Sequence, residues 1–301
     1  MTKKSPSAPP EFSVREFFQR FPDEQACLEH IMTVRFGGTL MDCPSCGAEG
    51  QFHKLRERRV YACPNCLHQI APTANTILHD TRTPLVSWFY AMYLFCTTRH
   101  GVSGKELQRQ LGVTYKTAWR MGQQIRELTV KAQSFDALFA GHVELDEAYV
   151  GGRRSGGKRG RGAPGKTIVM GLAERGGNMK AVVIPNVKKD TLRDVVLDNV
   201  EAGSVVSTDE LYSYNLLTGD GYTHGAVKHG KKEYAHYDYR SGQTFHVNTV
   251  EGFWRLFKAS VRSTHVQISG KYMDRYLSEF TFRANHRQRM NGMFDLLVGA
   301  L

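Results

Sequence analysis

The feature that most constrains this chain is a pair of short cysteine turns, Cys43-Pro44-Ser45-Cys46 and Cys63-Pro64-Asn65-Cys66, with 16 residues between them. A CxxC turn holds two thiolates close enough to fill half of a tetrahedral zinc shell, so two such turns make a complete structural site. The segment between them must double back, and Phe52 to Tyr61 reads as short strands or a hairpin. Cys27 and Cys96 lie in apolar surroundings and read as buried free thiols. Paired knuckles of this kind point to a reducing compartment rather than to a secreted disulfide framework.

Charge narrows the class of partner. Lys and Arg outnumber Asp and Glu by 40 to 29, a net +11 with an isoelectric point near 9.4. That balance favours a polyanion, nucleic acid before an anionic membrane surface. A hydrophobic fraction of 41% is ordinary for a globular protein, and 301 residues suffice for two or three modules. No apolar run approaches the roughly 18 residues of a membrane span, and Met1 to Pro10 lacks an apolar signal-peptide core. The expected location is cytoplasmic, nucleoid-associated, with no membrane partner.

Four segments follow from the patterning. Residues 1–20 read as a flexible arm, with Pro6, Pro9 and Pro10 among Ser and Lys. Residues 21–80 hold a short amphipathic helix, with Ala26, Cys27, His30, Ile31 and Val34 at helical spacing, and then the zinc ribbon. Residues 81–135 are helical: an apolar, aromatic stretch from Thr83 to His100 precedes two helices that Ser103 and Thr114 can cap, with Gly112 at the turn. This matches a helix-turn-helix, whose second helix would carry Lys116 and Arg120 into a DNA groove, although a plain helical hairpin has the same pattern. From residue 136 to 301 the period changes. Val143 to Val150, Thr167 to Glu174, Lys180 to Pro185 and Ser204 to Thr208 read as strands, Thr191 to Val200 as a helix, and the tail is helical. The fold class is therefore multidomain α+β and α/β, ending in a mixed sheet flanked by helices.

Three carboxylates stand out in that last segment. Asp146 falls mid-strand and Asp209 ends an apolar strand, where a charge is costly unless a cation compensates it. A solvated strand edge is the competing account of Asp146. Glu144 shares its face and Glu147 points the other way, so either fits an ordinary exposed residue. From Val247 to Val261 a helix buries Val250, Phe253, Trp254, Phe257 and Val261, while Glu251, Arg255, Lys258 and Arg262 line its other side, with Asn248 one turn earlier. That face is either a solvated row of ion pairs or an acid that binds metal beside cations that hold phosphates. Between the first two strands, residues 151–166 contain seven glycines, no acids and six bases: Arg153, Arg154, Lys158, Arg159, Arg161 and Lys166. Such a loop cannot pack a core but can follow a phosphate backbone.

Assembled in order, these residues resemble the bacterial transposases of insertion-sequence family 1595, which join an N-terminal zinc ribbon to an ISXO-type DDE domain of RNase H-like, retroviral-integrase-like fold. The resemblance runs from Phe21-Pro22-Asp23-Glu24 through both knuckles to Val143-Glu144-Leu145-Asp146-Glu147, Gly151-Gly152, residues 158–162, Ser207-Thr208-Asp209, residues 246–254 and Phe282-Arg283-Ala284-Asn285. It implies that Asp146 and Asp209, with 62 residues between them, bind catalytic Mg²⁺, expected as two ions. Glu251, with 41 residues between it and Asp209, matches the third acid, and Lys258 a base that contacts DNA near the scissile bond. Relatives carry either Asn or Glu as third member, so Asn248 stays a candidate beside Glu251. The implied activity is Mg-dependent 3′-end cleavage and strand transfer on double-stranded DNA, at element ends and target, by a homo-oligomer. A DNA-binding regulator or a nuclease without strand transfer are the rival functions.

Overall fold

The computed structural model describes residues 12–133, 137–151, 165–288 and 290–301. Contacts divide the chain into two units, one of residues up to 132 together with 286–301, the other of residues 133–285.

The first unit begins with two capped helices, the first lying within residues 1–20, where the composition predicts a flexible arm but buried Phe12 and Phe17 anchor the chain. Helix α1 (Val14–Arg20) opens on a reciprocal cap between Ser13 and Glu16, and α2 (Glu24–Phe36) opens on Asp23, which accepts from the Ala26 N–H. Gly37 at φ 77° ends α2, a left-handed conformation that glycine adopts without steric cost. The ribbon follows as two small antiparallel sheets. Strand β1 (Leu40–Asp42) pairs with β2 (Glu49–Gln51) across the first knuckle, and β4 (Tyr61–Ala62) pairs with both β3 (His53–Lys54) and β5 (Gln69–Ile70) around the second. Helix α3 (Leu85–Thr97) is buried over most of its surface, including Trp88, Phe89, Met92 and Phe95. Helices α4 (Gly104–Leu111) and α5 (Tyr115–Lys131) are capped by Ser103 and Thr114 and joined through Gly112 at φ 64°.

The strands of the second unit are β6 (His142–Gly151), β7 (Lys166–Glu174), β8 (Met179–Ile184), β9 (Val205–Thr208) and β10 (Thr223–Ala226), in the order β10-β9-β6-β7-β8. The first three are antiparallel, while β9 and β10 run parallel to β6, the mixed arrangement expected of an RNase H-like sheet. Helix α6 (Lys189–Asn199) covers the face bearing Val143, Leu145, Met170 and Leu172. Between β10 and the next helix lies a hairpin of β11 (His236–Asp238) and β12 (Gln243–Phe245). Helices α7 (Asn248–Ser263) and α8 (Met273–His286) cover the other face, which carries Ala148, Val150, Val169 and Ala173.

The sequence pattern assigns the whole tail to this second domain. The last helix, α9 (Met290–Gly299), instead packs in the first unit against α2 and α3. Its Phe294 ring centroid lies 5.3–6.3 Å from those of several aromatic neighbours, among them Phe21 at 5.3 Å and Phe89 at 5.6 Å. An apolar helix at a chain end is bound to whichever core offers it a matching face, which its own pattern does not reveal.

One glycine sets how closely α7 lies on the sheet. Gly171 pairs directly opposite Asp146, and a Cβ there would come within 2.7 Å of Val250 and 2.8 Å of Trp254. The missing side chain lets the first turns of α7 settle beside Asp146.

Candidate active site

The two cysteine knuckles have the same local build. In each, the first cysteine accepts from an N–H four residues on and donates its own N–H to the carbonyl five residues on: Gly47 and Ala48 for Cys43, Leu67 and His68 for Cys63. Gly47 and Leu67 both take positive φ, 70° and 62°, to close the turns. All four sulfurs lie within 4.8 Å of one another, with Cys43 and Cys66 3.6 Å apart and Cys46 and Cys63 3.9 Å apart. A zinc ion with Zn–S bonds of about 2.3 Å requires tetrahedral edges of about 3.8 Å, so the cysteine set fits zinc. Burial pushes the Cys43 thiol up, but N–H groups of Cys46 and Ser45 and the neighbouring thiols outweigh it and bring it down to about 6, while against the Ala48 N–H those thiols push Cys46 up to about 12, the pattern of crowded sulfurs sharing protons that a bound metal displaces.

At the end of the central strands the acids converge in two overlapping groups. Carboxylate oxygens of Asp146, Glu147 and Asp209 lie within 4.8 Å of one another. From the α7 side, Asp146 shares a cavity of about 460 Å³ with Asn248, Glu251, Gly252, Trp254, Arg255 and Lys258. Glu251 stands outside the tight group, with its Oε1 3.4 Å from Nδ1 of His229. Strand alternation explains the geometry. Asp146 points to the α7 face, Glu147 to the α6 face, and Asp209, just past the end of β9, lies close to both.

Electrostatics mark Asp146 as the strained member. Burial, then the charges of Glu147, Asp209 and Glu251, push its carboxyl up to about 8, with Lys258 opposing. Burial in turn lowers Lys258, whose charge Asp146 favours and Arg262 disfavours. A cluster of oxygens that resists ionisation alone is satisfied by a hard divalent cation, so the donor set fits Mg²⁺. Glu147 accepts a hydrogen bond from the Tyr214 hydroxyl, and burial with the charge of Glu147 holds that phenol well above its ordinary range.

Of the other site candidates, Lys116 and Arg120 are exposed on α5 in the first unit. Lys166 opens β7, and Arg255 and Arg262 are exposed on α7. Arg153, Arg154, Lys158, Arg159 and Arg161 fall outside the described residues.

Two glutamates differ from their sequence reading. Glu147, which the alternation turned away from Asp146, rejoins it through Asp209 because β9 stops at Thr208. Glu144, read as fit for an exposed position, is completely buried. Its Oε2 accepts from the backbone N–H groups of Thr249 at 2.8 Å and Val250 at 3.3 Å, and its Oε1 from Arg175 Nε at 3.1 Å. The sequence signal was its place two residues before Asp146 on the same face, but only the tertiary fold shows that α7 covers it.

The transposase zinc-ribbon domain model matches residues 22–69, and the ISXO2-like transposase domain model matches residues 139–285. An "uncharacterized transposase-like protein" of Haemophilus influenzae is 26% identical over 123 residues, 40% of this chain and 94% of that protein. Among solved structures, the Mos1 strand transfer complex aligns over 64% of this chain and 72% of its own at 14% identity and a TM-score of 0.25. A Mos1 transposase paired-end complex with the left transposon end aligns over 60% and 71% at 13% identity and a TM-score of 0.20.

Proposed function

Since the chain belongs to the transposases of insertion-sequence family 1595, we propose that it cuts DNA at element ends and joins the freed 3′ hydroxyls to target DNA, using Asp146, Asp209 and Glu251 as its acidic triad. The observation that carries this reading is the convergence of Asp146 with Glu147 and Asp209 on one side and with Asn248, Glu251 and Lys258 on the other. Asp146 belongs to both groups and stands at the reacting centre.

Asp146, Asp209 and Glu251 would hold Mg²⁺, with Glu147 or Asn248 able to complete the oxygen set. Bound there, two ions supply an activated attacking oxygen and neutralise the leaving oxygen of an in-line displacement at phosphorus. The chain's own residues do the rest. Lys258 faces Asp146 across the cavity and meets the non-bridging oxygens of the scissile phosphate, while Arg255 and Arg262 extend the cationic row along α7. In the first step water displaces the 3′ oxygen at the element end. In the second, that 3′ hydroxyl attacks a target phosphodiester and displaces its 3′ oxygen, so no covalent enzyme intermediate is required.

Affinity for DNA comes from outside the acids. Lys116 and Arg120 on α5, the bases of residues 153–166 and the ribbon are the proposed contacts, and binding by this route weakens steeply with salt as counterions are released. Holding two ends at once calls for more than one copy of the chain.

The deciding experiment incubates the full chain with Mg²⁺, a labelled duplex carrying the inverted repeat that flanks its coding region, and a supercoiled target. Joined products are expected, and Asp146→Asn and Asp209→Asn should lower cutting and joining by several orders of magnitude, about the scale lost with an essential catalytic group, while still binding the duplex. A parent that cuts without joining is a nuclease. Aspartate variants as active as the parent would place the chemistry elsewhere.

A further inference from the structure

We propose that Glu144 is a positioning residue that fixes the first turn of α7, and with it Asn248 and Glu251, over Asp146. This inference rests on the proposed role of that turn, and the geometry behind it is independent of the reaction.

Helix α7 has no cap of its own: its N-cap residue is Val247, which offers no side-chain acceptor. The first N–H groups of a helix are left without intrahelical partners, and a buried helix start needs them satisfied from elsewhere. Glu144 does this from the neighbouring strand. Its Oε2 takes the N–H groups of Thr249 and Val250, at 2.8 and 3.3 Å, and its Oε1 takes the Thr249 hydroxyl at 3.1 Å. Thr249 and Val250 are the two residues between Asn248 and Glu251, so the clamp grips the turn that presents both. A carboxylate at this end also complements the positive end of the helix.

The clamp is itself braced. Arg175, from the turn after β7, donates through Nε to Glu144 at 3.1 Å, and Nδ1 of His246 lies 2.9 Å from the same carboxylate. The same guanidinium donates to the carbonyls of Thr244 at 2.7 Å and His246 at 3.2 Å, the stretch of chain that leads into α7. It also donates to Nδ1 of His142 at 2.9 Å, which leaves Nε2 of that ring as the donor to Ser207 Oγ at 2.7 Å. Strands β6 and β9, which carry Asp146 and lead to Asp209, are thus tied to the entry of α7 through one buried ionic group. A buried ion pair is a poor source of net stability compared with apolar packing. Its directional bonds instead set the height and rotation of α7 relative to Asp146.

The test uses full-length Glu144→Gln and Thr249→Val, each compared with the parent by thermal unfolding, DNA-end affinity, single-turnover cleavage across a Mg²⁺ titration, and amide hydrogen exchange. Gln keeps the size of the side chain but replaces one acceptor by a donor facing Arg175, and Val removes only the hydroxyl bond. For Glu144→Gln, exchange at residues 249–253 should quicken at least about tenfold while β7 and β8 keep their protection. Cleavage should slow by about 10–100-fold, the usual effect of losing a group that orients a metal ligand, with DNA affinity unchanged and half-saturating Mg²⁺ raised. Thr249→Val should move the same quantities in the same direction by a smaller factor. Exchange unchanged at 249–253, or protection lost evenly over the whole sheet, overturns the proposal. A parent that never cleaves DNA defeats the function proposed above but leaves the exchange measurement to decide this one.

Discussion

Replacing Asp146 by Asn should stabilise the magnesium-free protein while abolishing its chemistry. In the unfolded chain this carboxyl ionises near 4, whereas in the fold burial and the charges of Glu147, Asp209 and Glu251 push it up to about 8. Between those values the native state holds a proton that the unfolded state has released, so the group subtracts from stability as pH rises from about 4 to about 8. Each unit of difference is worth about 1.4 kcal/mol, so full burial would cost about 4 kcal/mol at pH 7. The side chain retains partial contact with water, which screens the charge and brings the expected gain for Asp146→Asn to about 1–2 kcal/mol. For a chain of this size that is a rise of about 2–8 °C in Tm. The assay is thermal unfolding of parent and variant in magnesium-free buffer with zinc retained, at pH 4.5 and 8. The gain should be present at pH 8 and nearly vanish at pH 4.5, and added Mg²⁺ should stabilise the parent more than the variant. A variant equal to or less stable than the parent at pH 8, or a difference independent of pH, would refute the electrostatic account of this site.

Three further outcomes follow. Stripping zinc, or Cys63→Ser, should unfold the ribbon, since binding free energy of about 10–16 kcal/mol is folding free energy in such modules; circular dichroism and zinc analysis of the full chain check this, with one zinc expected per chain. Gly171→Ala should cost about 1–3 kcal/mol by overpacking, because its Cβ would meet Val250 and Trp254 within 2.8 Å, and it should slow cleavage more than it weakens DNA binding, as urea unfolding and single-turnover assays would show. Burial, Arg175 and His246 bring His142 down to about 4, so its contribution is present above about pH 6.5 and lost as pH falls from there through 4; His142→Gln should flatten that part of the stability profile in urea unfolding.

The ribbon was legible because zinc chemistry needs two thiolates at a fixed short spacing, and Cys43, Cys46, Cys63 and Cys66 could be paired off on paper. The helical hairpin was legible because Ser103, Gly112 and Thr114 act within a few residues of themselves. The apolar stripe of α7 was legible for the same reason: a period of 3.6 is a local property. Placing Glu251 relative to the acids was not. It depends on how far α7 sinks onto β7, which Gly171 controls from a strand 80 positions earlier in the chain.

Sequence alone therefore determined the parts whose physics is short-range: the metal knuckles, the caps of the helical hairpin, the periods of the main strands and helices, and which acids and bases are candidates for phosphoryl chemistry. Tertiary structure decided the parts that depend on long-range packing. It placed α9 with the first unit, brought Glu147 back to Asp146 at the end of β9, and buried Glu144 under the start of α7. A carboxylate in a strand reads the same along the chain whether water, a cation or a helix N-terminus lies above it, and only the element that packs there determines which of the three compensates its charge.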